Sequence, residues 1–334
     1  MIIKFDEQAQ LNSVNGALAL RPQIEKVVDE LFDKGFDGIW WIGVGGTLAS
    51  AWQVEYYMRS RTKLPVYTDH AAQFLTTGNP RFTNKSVVIF STVTGSTVEM
   101  VDMCKKAKEI GATVFGFVDK AGAKITEYCD YVITYPANEQ LKFFMTANYL
   151  MYKNGEFSKY NQYNYEMEAH LASALIEIEK VADDFGRAFA EKHCADPIHY
   201  FVGCGSQWGS TYSYAMCYWE EQHWIKTKSI QAEEFFHGMF EIITKDTPVT
   251  VFLGEDEQRP LAERVVRFLP RICGNYTFID ARDYAEYLEG ISQEFRGSIS
   301  HLVTHAVTQR IDAHMEVINR HPLDIRRYYR QFDY

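Results

Sequence analysis

Short apolar runs that each end in a small polar turn and pass into a helical pattern are the feature that most constrains this chain. Four lie in its first half: GIWWIG (38–43), SVVIFST (86–92), TVFGFV (113–118) and YVITYP (131–136), with a fifth candidate at LPVYT (64–68). Near-continuous apolar strands of this kind belong to parallel sheets whose two faces are both covered by helices. Between them, residues 47–60, 96–110 and 138–153 repeat apolar positions at a period near 3.6, which predicts helices.

The pattern then restarts. Strands are expected at IHYFVG (198–203), VTVFLG (249–254) and YTFID (276–280), and helices at 207–225, 258–269 and near 300–319. The stretch 166–192 has no Pro, one Gly and an apolar stripe, so it reads as one long helix linking two lobes. The fold class expected is α/β with two tandem domains, each a mainly parallel sheet flanked by helices on both faces. The first is placed at 1–165, the linking helix at 166–192 and the second domain with a C-terminal tail at 193–334. The turns GVGGT (43–47) and GCGS (203–206) occupy matching places, as in a diverged repeat.

At 334 residues the chain is long enough for two such cores. Its net charge of −10 argues against a nucleic-acid partner, whose affinity is built from clustered Lys and Arg. No apolar run reaches the eighteen or so residues that a membrane span needs, so no membrane partner is expected. The N-terminus MIIKFDEQAQLNS lacks the apolar core of a secretory signal, which makes the cytoplasm the expected location. The six cysteines are scattered without C-x-x-C pairs and read as free thiols.

Three segments carry candidate chemistry. In FSTVTGSTVEM (90–100), Thr92, Thr94, Ser96 and Thr97 crowd a strand end that opens a helix. Hydroxyls beside unpaired amide groups suit a phosphate dianion, and equally suit the plain capping of a helix. In GVGGT, Gly46 allows close approach of backbone to a ligand, and Thr47 is placed to cap the next helix. Neither turn has the G-x-G-x-x-G spacing or the Lys of a P-loop, so no nucleotide cofactor is expected. In WEEQHWIKTKSIQAEEFFHGMFEII (219–243), Glu221, Glu234 and His237 stand among aromatic residues. Partial burial there would tune an acid–base pair; exposure would leave charges on a helix end. His301 and His305 are spaced i, i+4, but Leu302 stands where a zinc-binding helix needs Glu, and no metal is expected.

Taken together these segments resemble the SIS (sugar isomerase) family in its tandem form, as in the isomerase half of glucosamine-6-phosphate synthase. The resemblance is closest to the fructosamine or fructose-amino-acid 6-phosphate deglycases, through EFFHGMFEI (234–242), GEDEQRPLAER (254–264) and HPLDIRRYY (321–329). It implies an enzyme without cofactor that cleaves a 6-phospho-fructosamine to glucose 6-phosphate and a free amine. Aldose–ketose isomerisation and phosphosugar binding without turnover are the alternatives. It further implies that Thr92, Thr94 and Thr97 hold the sugar phosphate, with Gly46 and Thr47 closing from the neighbouring loop. The family's catalytic Glu and His, sixteen positions apart, fall on Glu221 and His237. Glu234, with Gly205 and Ser206 of the second turn, completes the pocket candidates. A homodimer with active sites shared between subunits is implied as well. The family's S-G-E-F-x-H-G-P reads AEEFFHGM here, placing Glu233 at a usual Gly and Met239 at a usual Pro. In the second domain, FLGEDE (252–257) puts three carboxylates where a phosphate would bind, so that place is expected to stay empty by repulsion.

Overall fold

Every strand pairing among the described residues is parallel, in two separate sheets. The structure, a computed structural model, describes residues 2–329, 331 and 332. The first sheet runs in the order β2-β1-β3-β4-β5, built from β1 (Gly38–Gly43), β2 (Val66–His70), β3 (Ser86–Thr92), β4 (Thr113–Val118) and β5 (Tyr131–Ile133). Its centre, β1 and β3, is buried at every position. Successive side chains of a strand point to opposite faces, so each strand feeds two cores. Trp40, Ile42, Val88 and Phe90 pack on one side with Met103 and Cys104. On the other, Trp41 and Phe117 meet Phe143, with ring centroids 4.9 and 6.0 Å apart.

The second sheet has the order β7-β6-β8-β9, from β6 (His199–Gly203), β7 (Thr227–Gln231), β8 (Val249–Leu253) and β9 (Tyr276–Asp280). This is the order of the first sheet without its last strand, as the repeat predicted. The polar TKSIQ of β7 escaped sequence reading because it lies at a sheet edge and is only half-buried. The helix expected over 207–225 is α-helical only from Ser206 to Ser213 and continues as a π turn, Tyr214–Glu220.

Two compact units result, Gln8–Ala172 and Met1–Glu7 with Ser173–Tyr334. The helix expected over 166–192 is a succession: Tyr160–Glu166, a π turn Met167–Leu171, Ala172–Val181 and, after Ala182, Asp183–His193. The division between units falls next to the π turn. The first residues sort with the later unit because Arg310 draws them there. Its buried guanidinium donates to the Ile3 carbonyl at 2.6 Å and pairs with Glu179 at 3.1 Å and Asp183 at 2.8 Å. Glu7 pairs with Lys180 at 2.9 Å. Gly186 lets the helices Asp183–His193 and Ser300–Asn319 meet closely, since a Cβ on it would lie 2.8 Å from the Arg310 backbone.

None of the six cysteines is in a disulfide, and burial pushes the Cys129 and Cys204 thiols up to about 12. Among the described residues no helix is long and apolar enough to cross a membrane. Removing one partner of a buried ion pair strands the other. Arg310→Leu is therefore expected to lower unfolding free energy by about 3 kcal/mol or more, read by urea denaturation, since Glu179 and Asp183 each lose the guanidinium. A loss below about 1 kcal/mol would contradict this role.

Candidate functional site

In the first sheet the chain leaves β1 toward β2 on one side, and β3 toward β4 on the other. Loops after two such strands diverge and open a crevice at the carboxyl ends. The turns GVGGT and STVTGST flank it. Gly43 permits the first turn, as a Cβ there would lie 2.5 Å from the Leu48 amide nitrogen. Thr47 is spent on its own helix: its Oγ1 accepts from the Val44 N–H at 3.2 Å and donates to the Val44 carbonyl at 3.0 Å. In the second turn Thr92 Oγ1 accepts from the Gly95 N–H at 3.1 Å, and Gly95 takes the left-handed φ of 62° that the bend needs. The Ser96 hydroxyl donates to Thr94 Oγ1 at 3.0 Å. Thr97 precedes the helix Val98–Ile110 and makes no side-chain capping bond, which leaves the plain capping explanation without support at this residue. Val93 and Val98 beside it are exposed.

Sequence reading missed one group in this crevice. Glu139 opens the helix Glu139–Lys153, and its carboxyl is hydrogen-bonded to the side chains of Ser50 and Ser91. Burial pushes its pKa up, while the two serines and Lys142 pull it down and Asp119 raises it. The bend delivering it is strained: Ala137 and Asn138 both have positive φ, 57° and 52°. Asn138 is fastened there by donating to the Ser13 hydroxyl at 2.7 Å. Behind Glu139 the wholly buried Lys142 donates to the Tyr135 carbonyl at 2.8 Å and pairs with Asp119 at 3.3 Å. Burial lowers the Lys142 pKa. The available signal was an acidic residue in the first turn of the helix after β5.

The matching place in the second sheet is filled from within. The Ser206 N–H and hydroxyl both donate to one oxygen of Asp256, at 2.7 and 2.6 Å, and the Gln258 N–H donates to the other at 3.0 Å. The carboxylate stands where an anion would sit at a helix N-terminus. Gly205, at φ 59°, leaves it room, because a Cβ would come within 2.4 Å of the carboxylate. Repulsion was the expected reason for an empty second site; the geometry adds a bound internal carboxylate. It engages the same Gly205 and Ser206 that the sequence offered as pocket residues.

Glu221 follows the π turn Tyr214–Glu220, its N–H donating five residues back to Met216 at 3.0 Å. Such turns are frequent at functional sites because they rotate the next side chain off the α-helical register. The turn is fixed from both ends: Tyr214 donates to Asp312 at 3.1 Å, and His223 Nε2 lies 2.9 Å from the same oxygen. Arg326 of the C-terminal tail donates to Glu221 Oε1 at 2.8 Å. His237 ends a 3-10 turn, Phe235–His237, and is exposed together with Glu234, while Phe235 anchors the turn in the core. Met239, where the family motif has Pro, is buried in that core. Glu233, at the usual Gly, is half-buried with one carboxylate oxygen lacking a hydrogen-bond partner. Glu221 and His237 belong to the same unit, and no hydrogen bond between them is found among the described residues.

His193, Asp196 and His199 are close enough to hold a metal ion. Their geometry is that of a hydrogen-bond network. Both Nδ1 atoms lie on one Asp196 oxygen, at 2.7 and 2.8 Å, and His199 Nε2 lies 2.8 Å from the Thr250 hydroxyl. Burial lowers His199 to about 4. Burial likewise lowers His301, to about 3, and His305.

The SIS domain family matches residues 37–153, from β1 through the helix that Glu139 opens. Over 325 residues the chain is 26% identical to fructosamine deglycase FrlB of Bacillus subtilis (strain 168), covering 93% of this chain and 97% of that one. It is 24% identical over 316 residues to the fructoselysine 6-phosphate deglycase of Escherichia coli (strain K12), covering 92% of this chain and 90% of the relative. A solved Bacillus subtilis protein, provisionally described as a phosphosugar isomerase, superposes with a TM-score of 0.88 at 26% identity, covering 96% of this chain and 99% of that chain.

Two outcomes follow from this geometry. Asp256→Ala leaves the Ser206 and Gln258 donors unmatched and is expected to cost about 1–3 kcal/mol in urea unfolding. For His199, the folded state resists a proton that the unfolded chain accepts at its ordinary pKa of 6.5. Its contribution is therefore full above pH 6.5 and lost between 6.5 and about 4. His199→Gln should lose less stability than the wild type across that interval, by up to roughly 3 kcal/mol, and parallel stability–pH curves would refute it.

Proposed function

We propose that this chain, whose residues 37–153 are a SIS domain, is a phosphosugar deglycase that converts a 6-phospho-fructosamine to glucose 6-phosphate and a free amine. The observation that carries the reading is its similarity along almost the whole length of two deglycases, with Glu221 delivered by a π turn and the β1/β3 crevice ringed by threonines. Thr94 and Thr97 bind the phosphate by their hydroxyls, and Gly46 lets backbone approach it. Thr92 and Thr47 hold the two turns in shape. No metal or nucleotide enters the proposed chemistry.

In the open-chain substrate, carbon 1 bears the amine and carbon 2 is a ketone. Glu221 removes a proton from carbon 1, giving the enaminol, and His237 assists ring opening and proton transfer at the ring oxygen. A proton returned to carbon 2 yields a carbon 1 imine. Water adds to that imine and expels the amine, leaving the aldehyde of glucose 6-phosphate. Anchoring the phosphate holds the carbon 1 proton near the carboxylate, an orientation effect worth several kcal/mol. His237 is exposed, as suits a residue delivered to a neighbouring subunit, and we place the enzyme in the cytoplasm as a homodimer with shared sites.

Aldose–ketose isomerisation uses the same first proton transfer and is favoured by the description of the solved Bacillus subtilis neighbour. Parallel assays of 6-phosphosugars with and without the aminoacyl group separate the two, following glucose 6-phosphate release. Glu221→Gln and His237→Ala are each expected to lower turnover at least about a hundredfold, with glucose 6-phosphate affinity kept within a few-fold. Turnover near the wild-type value in either variant removes that residue from the mechanism.

A further inference from the structure

We propose that Glu139 is the group that couples the arrival of a phosphate ester in the β1/β3 crevice to the uptake of a proton. This rests on reading that crevice as the phosphosugar site. The placement carries the inference. Ser91, one hydrogen-bond partner of the carboxyl, immediately precedes Thr92 at the end of β3. Ser50, the other, lies one turn beyond Gly46 on the helix Gly45–Arg59. The carboxyl is thus tied to both phosphate-binding turns at once. An acidic group is an odd occupant of an anion site unless its charge can be removed.

A phosphate dianion repels a carboxylate across a poorly solvated gap and leaves a neutral carboxylic acid untouched. Among the described residues, the charged groups acting on Glu139 are Lys142 and Asp119. These two are already paired with each other, so neither provides a free countercharge. Burial has moved the carboxyl toward its neutral form before any ligand arrives. A dianion moves it further, so binding draws in a proton and weakens as pH rises through the carboxyl's titration.

The test is calorimetric titration of the wild type and Glu139→Gln with glucose 6-phosphate, in pairs of buffers with different ionisation heats, from pH 5 to 8. The difference between the two proteins cancels the second ionisation of the phosphate ester, which is common to both. The wild type should take up more protons per ligand than Glu139→Gln, by a difference approaching one. Its affinity should fall up to tenfold more per pH unit where that difference peaks. Ser50→Ala removes a bond that favours the ionised form, so the peak should move to higher pH; this variant serves if Glu139→Gln does not fold. Equal proton uptake in wild type and Glu139→Gln, or an unmoved peak in Ser50→Ala, overturns the role of Glu139. A third arm, Thr97→Ala, tests the site itself. Weakened binding there leaves the site standing whatever Glu139 does, whereas unchanged binding in Thr97→Ala, or no binding by the wild type, overturns the site and the coupling together.

Discussion

A parallel strand cannot be reached from its neighbour by a tight hairpin, so each crossover must travel the length of the sheet and return. Everything of interest in this chain depends on that constraint. It places every strand-to-helix turn at one edge of its sheet, and because right-handed crossovers that all run one way would cover only one face, covering both faces requires the direction of travel to reverse, here between β1 and β3 in the first sheet and between β6 and β8 in the second. The reversal parts the loops and brings helix N-termini to the opening. A chain that obeys this rule twice carries two potential anion sites, and the difference between its halves lies in what each has done with its own.

The first half has lined its opening with hydroxyls and a carboxyl. The second has closed its opening with Asp256, held by three hydrogen bonds from Ser206 and Gln258. A neutral side chain there would leave donors exposed to any passing anion, whereas the built-in carboxylate satisfies them permanently. The second half also carries the π turn before Glu221 and the exposed turn of His237 anchored by Phe235. Their fixed geometry comes from aromatic packing and the Asp312 hub. Such packed supports, rather than loops, are what hold a side chain to sub-ångström tolerance.

The central strands were legible because burial on both faces writes an unbroken apolar run, as in GIWWIG and SVVIFST. β7 was not, since an edge strand with one open side tolerates Lys228 and Gln231. The π turns at 167–171 and 214–220 leave no mark in apolar spacing that distinguishes them from the α-helix around them. The threonine turns could be found by composition at a strand end, but composition could not separate Thr47 and Thr92, which serve their own turns, from Thr97. Glu139 was invisible for a related reason: its partners Ser50 and Ser91 come from elements that only the fold brings together. Glu221 and His237 are singled out by family motif alone, as nothing in their local pattern distinguishes them from surface charge.

The first few residues of the chain are held by its last long helix, with Ile3 and Arg310 separated by 307 positions. Gln8–Ala172 has the whole of its sheet in hand as soon as those residues leave the ribosome. The residues ahead of it, though made before it, must wait for Lys180 and Arg310 to form the contacts that hold them. Loop closure over so long a span is paid in chain entropy before any contact returns it. This segment is thus synthesised long before its partners and is among the last to find its place, and it joins residues far apart in sequence into one folding unit.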